Sequence, residues 1–435
     1  MRHAHKNAAS NEEPKPSLVP RLRFPEFAGE WEAKHLGDQG EFLASLSGKT
    51  GRDFDVGEAK FITYMNVFAN TFVDPMTLRF VDVKVSENQN AVAIGDVFFT
   101  ISSETPEEVG MSSVLLEGIE NCYLNSFCAL FRFSDSRRPN PVFTGYMLRQ
   151  PIVRDYFAKK AQGSTRFNLS KDAFRSLLVL IPSLPEQQRI ASCLSSLDEL
   201  ITAQARKVDA LKTHKKGLMQ QLFPREGETL PRLRFPEFEG EWEERRLGDV
   251  ATFHKGKGIS KADISTNGRT PCIRYGELYT VYGEIVENVQ SRTDIPVDDL
   301  FLSQSNDVII PASGETRLDI AKAACVIHDD VALGGDLNVI RTSHRGVFLS
   351  YYLNGPKRYD IAKVAQGDTV AHLYPSQLKK LVVSLPSEAE QQRIASCLSS
   401  LDELITNENN KLETYKTHKK GLMQGLFPNV GEGDA

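Results

Sequence analysis

EQQRIASCLSSLDELIT at 186–202 returns unchanged at 390–406, and this duplication organises the whole chain. Downstream, THKKGLMQQLFP at 213–224 returns as THKKGLMQGLFP at 417–428, the same 204 residues later. Upstream, PRLRFPEFAGEWEAKHLGD at 20–38 returns as PRLRFPEFEGEWEERRLGD at 231–249, 211 residues later and matching at fifteen of nineteen positions. Trp31 and Trp242 are repeat mates, as are Cys193 and Cys397. A long internal repeat sets the domain count before any local reading. Between the anchors the copies diverge in an ordered way. At the longer spacing Tyr64 meets Tyr275, Asp96 meets Asp307, and SSET (102–105) meets SGET (313–316). At the shorter spacing AQG (161–163) meets AQG (365–367). One unit is written twice, with nearly frozen ends and two unlike middles.

The frozen segments that begin at Glu186 and Glu390 read as long helices. Ile190, Leu194, Leu197, Ile201, Gln204, Val208, Leu211, Lys215, Leu218 and Leu222 alternate steps of four and three, and eight of these ten are apolar. Ile394, Leu398, Leu401, Ile405, Glu408, Leu412, Tyr415, Lys419, Leu422 and Leu426 repeat the pattern. Sustained spacing of this kind without proline predicts a coiled-coil seam. A long helix packed only on its own domain is the alternative. The middles hold short β-rich runs broken by Gly, Asn, Asp and Pro, such as AIGDVFFTI and SFCALFRF in the first and NDVIIPA and LNVIRT in the second. Helical stretches are expected at 143–161 and 348–365.

These readings give an α+β fold class: two globular domains and a long antiparallel helix pair in a pseudo-twofold tandem repeat. The expected divisions are a flexible tail at 1–19, a first domain at 20–182, a first helix at 183–224 and a linker at 225–230. A second domain at 231–386, a second helix at 387–428 and a tail at 429–435 complete the chain. The antiparallel sense follows from reach. The first helix would span ~55 Å at 1.5 Å per residue. A linker this short places the second domain at its far end, so the second helix meets the first only by running back.

A length of 435 residues fits two or three domains. Charged residues at 25% and hydrophobic residues at 40% exclude a wholly disordered or collagen-like chain. No run approaches ~18 apolar residues, so no membrane span is expected. Residues 1–19 are polar and Pro-interrupted, unlike a secretory signal. Six cysteines without close pairs fit reduced thiols and a cytoplasmic location. The net charge of −5 argues against a protein that grips nucleic acid by bulk charge, so any basic surface is local or is supplied by a partner.

Catalytic motifs are incomplete. SGKT at 47–50 ends like a phosphate-binding loop, but Leu43 stands where that loop needs its first glycine. NPVF at 140–143 lacks the second proline of the amino-methyltransferase NPPF loop. No HExxH, CxxC or nucleophile elbow occurs, so neither a metal nor a catalytic residue is assigned. Binding chemistry concentrates in the unlike middles. HKGKGISKAD at 254–263 offers Lys255, Lys257 and Lys261 on a Gly-rich loop, and SGKTGRD offers Lys49 and Arg52. After each AQG, STRFN at 164–168 stands against DTVAH at 368–372. Thr165 and Thr369 are shared, whereas Arg166 and Asn168 stand opposite Val370 and His372. Constant phosphate contacts beside variable base readers produce such a pattern, and a solvated turn is the plain alternative.

Taken together, the PxLRFPEFxGEWxxxxLGD openings, the LP/EQQRIA…LD helices and the unlike middles resemble the specificity subunit of type I restriction–modification enzymes. The resemblance covers about 20–428. It implies two target-recognition domains, each reading one half of a split double-stranded DNA sequence, with the helices as spacer. It implies as partners two modification (methyltransferase) subunits and, in the full complex, restriction subunits. It implies no cofactor on this chain. S-adenosylmethionine would sit on the modification subunits, and ATP and Mg on the restriction subunits. A coiled-coil scaffold presenting two protein-interaction modules is the alternative, and an enzyme with an unrecognised site is a third reading. The 186–202 match extends to Gln187, Arg189, Ser195, Ser196, Asp198 and Glu199, read here as outward-facing. Identical partners demand equivalent patches, which makes Gln187, Arg189, Gln391 and Arg393 candidate docking residues. Recent gene conversion would also explain the match.

Overall fold

The computed structural model describes residues 18–134, 138–367 and 370–428. Two compact units emerge: Met1–Ala203 with Lys411–Ala435, and Gln204–Asn410. The division falls inside the two long helices, Leu184–Gln221 and Glu388–Leu426. Each unit therefore holds one globular middle, the first half of its own repeat's helix and the second half of the other repeat's helix. The tail expected at 429–435 lies outside the described residues, as does 1–17. Leu18 does not behave as tail, since its carbonyl accepts the Trp31 N–H at 2.9 Å.

The first unit is built on an antiparallel sheet ordered Gly40–Leu43, Cys128–Phe133, Val97–Thr100, Ser112–Val114. In the second unit the equivalent order is Ala251–Lys255, Leu337–Thr342, Asp307–Pro311, Ala324–Val326, extended by the parallel strand Ile285–Val286. The central strands are buried along their whole length, so they read as continuous apolar runs rather than as alternation. Asp96 and Asp307 keep the equivalence seen in sequence. Each is 1% exposed and accepts a paired Arg fork from the neighbouring strand, Arg132 at 2.7 Å and Arg341 at 2.7–2.8 Å. Removing either arginine would strand a buried carboxylate.

The helical stretches expected at 143–161 and 348–365 are each two helices. Pro141–Leu148 is followed by Pro151–Lys160, and Gly346–Asn354 by Arg358–Val364. Proline biases the residue before it away from the helical region, so Pro151 and Pro356 divide the runs. NPVF is a helix start: the Asn140 side chain accepts the Phe143 N–H at 3.0 Å. SGKT is a turn closed by a Thr50/Asp53 capping box, repeated by Ser260/Asp263 in the second unit.

The helix seam has two roles. Ile190 and Leu194 belong to the core of the first unit, and Ile394 and Leu398 to that of the second. The far end of each helix enters the opposite repeat's core. Phe427 lies 5.5 Å from Phe143 and 6.0 Å from Trp31, while Phe223 lies 5.6 Å from Phe348 and 6.3 Å from Trp242. The polar seam positions are paired. In the second unit Gln204 donates to Glu408 at 2.7 Å and Lys215 pairs with Asp402 at 2.7 Å, so the strands of this pair run antiparallel. In the first unit Lys419 meets Asp198. Tyr146 donates to Asp198 at 2.7 Å and Tyr351 to Asp402 at 2.6 Å, and burial raises both phenols above their usual range. No helix among the described residues is long and apolar enough to cross a membrane.

Candidate nucleic-acid interface

The two AQG segments build the same small device. Gly163 has φ +141° and Gly367 φ +99°, and a Cβ at either would lie 2.0–2.1 Å from the carbonyl oxygen of Arg166 or Val370. Only glycine fits such a turn. Gln162 and Asn168 exchange two backbone bonds at 2.9–3.0 Å, as do Gln366 and His372 at 2.6–2.9 Å. The returning strands Phe167–Asn168 and Ala371–His372 then pair antiparallel with Ser102–Ser103 and Ser313–Gly314. Tyr64 donates to the Ser102 carbonyl at 2.9 Å, and Tyr279 to the Ser313 carbonyl at 2.8 Å. The structural mate of Tyr64 is therefore Tyr279, four residues beyond the Tyr275 expected from constant spacing. A local insertion between anchors is invisible to offset arithmetic.

On this constant frame the side chains differ. Thr165, Arg166 and Asn168 are exposed in the first unit, with Arg166 Nε donating to Ser102 Oγ at 2.7 Å. In the second unit Val370 and His372 are exposed, and His372 stacks on Tyr374 at 6.2 Å. Thr369 lies outside the described residues.

Lys255, Lys257 and Lys261 are exposed. Lys255 pairs in the sheet with Asn338, whose amide donates to the Leu373 carbonyl at 2.9 Å, beside His372. Gly256 packs against the Gly334 carbonyl, where a Cβ would lie at 2.0 Å. The basic loop and the loop after AQG thus share one end of the sheet. Lys257 lies 3.7 Å from Asp299 and remains 55% exposed. The first unit differs. Lys49 is drawn into an ion pair with Glu87 at 2.6 Å with its side chain 6% exposed, leaving Arg52 as the exposed cation of that loop. The Lys49 ammonium, helped by Gln89, holds the Glu87 carboxyl down to about 2.

The docking candidates divide. Gln187 and Gln391 are 4% and 1% exposed, which corrects their reading as partner-binding. Their amides donate to the Pro182 and Pro386 carbonyls at 2.8 and 2.9 Å, and their oxygens accept the Asn140 and Arg345 N–H groups. They join each helix start to the helix that follows the sheet. Glu186 and Glu390 are likewise internal: each accepts a two-bonded arginine, Arg23 or Arg234, and the indole N–H of Trp31 or Trp242 at 3.3 Å. Much of the frozen sequence is therefore fixed from inside, Asp198 included. Arg189 and Arg393 remain 57% and 53% exposed, lying over Phe24 and Phe235 and beside Glu26 and Glu237. Leu200 and Leu404, also mates, are 53% and 41% exposed on the same helix halves.

Residues 28–213 and 239–414 match the family described as the Type I restriction modification DNA specificity domain. The putative type I restriction enzyme MjaX specificity subunit of Methanocaldococcus jannaschii is 26% identical over 423 residues, covering 94% of this chain and 95% of its own. The MjaVIII specificity subunit of that organism is 22% identical, over 93% of each chain. Among solved structures, the type I restriction–modification S subunit from M. genitalium superposes with a TM-score of 0.55 at 13% identity, over 94% of this chain and 99% of that one. A chain from a structure of type I R-M complex assembly and conformational transition gives 0.57 at 16%, over 93% and 98%. With both middles and the greater part of each long helix inside the matched spans, the chain belongs to the type I restriction–modification specificity family and is a non-catalytic specificity subunit with two target-recognition domains.

Proposed function

We propose that each unit reads one half of a bipartite double-stranded DNA target through the loop that follows its AQG turn, with Arg166 and Asn168 acting in the first unit and His372 in the second. The observation that carries this reading is a recognition frame repeated bond for bond while its exposed side chains differ. Positioning contacts need no sequence information, whereas base readers must vary with the target. Thr165, Arg52, Lys255, Lys257 and Lys261 serve as backbone contacts. Lys49, taken up by Glu87, supports the loop instead. Substituting Arg166→Ala in the chain bound to its modification subunits relaxes one position of one half-site, at a cost of ~1–3 kcal/mol in discrimination. Gel shifts against target variants measure this. Unchanged discrimination at every position would refute the assignment.

Two modification subunits dock on the exposed halves of the frozen segments, at Arg189 with Phe24 and Leu200, and at Arg393 with Phe235 and Leu404. They bring S-adenosylmethionine for adenine methylation, and restriction subunits bring ATP and Mg, so this chain carries no cofactor. Double-stranded DNA in the cytoplasm is the ligand of the assembly. Arg189→Glu reduces the bound modification subunits from two to one, and adding Arg393→Glu abolishes binding, as read by mass photometry. If the double variant still carries two copies, docking lies elsewhere.

A further inference from the structure

Residues 206–216 contain Arg206, Lys207, Lys212, Lys215 and Lys216 against the single acid Asp209, in a chain of net charge −5. This stretch comes from the first repeat, yet it belongs to the second unit. Two of its cations are committed there: Lys207 to Glu408 at 2.9 Å, and Lys215 to Glu284 and Asp402 at 2.9 and 2.7 Å. Lys212 and Lys216 are exposed instead, and they wall a groove of about 1760 Å³ within that unit. The facing wall carries Ser313 and Gly314, which hold the His372 strand, together with Val370, Tyr275, Lys322 and Arg358. Burial lowers the pKa of Lys322, Glu284 opposes this, and Arg358 adds to the lowering. That ammonium stands to gain from an incoming anion. Of the four acids that line the groove, Glu284 is held by Lys215 and Asp319 accepts from Thr316, while Glu226 and Glu315 are exposed at its edge. The groove thus joins a cationic helix face to the loop that varies between repeats.

The second repeat carries the same THKKGLMQ segment. Lys420 occupies the place of Lys216 and is exposed on the half of the second helix that belongs to the first unit. Sequence-independent contacts are the kind that stay identical between two domains reading different bases.

We propose that each helix supplies backbone-phosphate contacts to the half-site read by the opposite repeat: Lys212 and Lys216 complete the DNA surface of the second unit, and Lys420 that of the first. This rests on the DNA reading above and adds a crossed wiring to it. The long helices then hold the duplex as well as closing the two cores.

The test uses the full chain with its modification subunits and a duplex bearing the target. Salt dependence of binding and phosphate-ethylation interference are compared for wild type, Lys212→Ala/Lys216→Ala and Lys420→Ala. Half-sites are assigned beforehand by segment exchange. The double variant is expected to reduce the salt slope by up to ~1.8, at ~0.9 per lost contact. It should also abolish interference only at phosphates flanking the half-site of the second domain. Lys420→Ala does the same, with about half the slope change, at the other half-site, and Lys212→Arg/Lys216→Arg restores the wild-type pattern. An unchanged slope, or interference lost at the half-site of the same repeat, overturns the crossed assignment. If the wild-type complex fails to retard the duplex, the DNA reading itself falls, which separates the two failures.

Discussion

Substituting Phe427→Ala, at the end of the second repeat, is expected to destabilise the first unit by ~3–5 kcal/mol, the usual cost of emptying a buried aromatic site. Phe427 is 6% exposed, stacks at 26° on Phe143 and meets Trp31 edge-on. Leu426 and Phe427 belong to one apolar cluster with Val97, Phe99 and Phe131 of the sheet in the first unit. Hydrogen exchange should therefore lose protection over Val97–Thr100 and Cys128–Phe133 while Asp307–Pro311 keeps it. Phe223→Ala should do the reverse, because Phe223 lies against Trp242 and Phe348 in the second unit. If each substitution instead weakened the unit of its own repeat, the crossed construction of the cores would be wrong.

Replacing residues 39–177 with the same segment of a relative of different specificity is expected to change one half of the methylated sequence and leave the other intact. The cut keeps the antiparallel pair Glu32–His35 with Leu178–Ile181, and it keeps Glu186 with its Arg23 and Trp31 partners. Three demands fall on the incoming segment. It must present aromatics where Phe143 and Tyr146 stand, as Phe348 and Tyr351 do in the second unit. It must offer a backbone N–H to Gln187, as Asn140 does. It must also keep a glycine at the turn that follows the helix Pro151–Lys160. Methylome sequencing of a host carrying the exchanged chain gives the readout. A change in both half-sites would show that the units do not read independently.

Much of the fold was legible because its causes are periodic. The seam from Ile190 to Leu222 repeats every three or four residues, and its apolar members are buried or half-buried. The same pattern did not show what each stretch of the seam packs against. Ile190 and Leu194 face a sheet core, whereas Gln204 faces Glu408, and periodicity looks alike in both cases. The site was legible as loops rather than as chemistry. The AQG turns and the unlike residues after them were visible. What became of Lys49 was not, because Glu87 lies far along the chain and only the folded loop brings the two within 2.6 Å. Gln187 looked outward because helical phase alone cannot see the Pro182 carbonyl and Asn140 N–H that close over it.

By itself the sequence determined the tandem repeat, the helix pair with its antiparallel sense, and the split between frozen ends and variable middles. Duplication and apolar spacing are properties of the order of residues, and a linker of a few residues limits where the chain can go. Only the tertiary structure decided which identical residues are frozen from inside and which face outward. Glu186, Gln187 and Asp198 are held by buried partners, while Arg189 and Leu200 are exposed. It also decided that each core is closed by an aromatic from the other repeat. Burial and pairing are relations between distant residues, set by close packing around Trp31 and Trp242, and no local pattern encodes them.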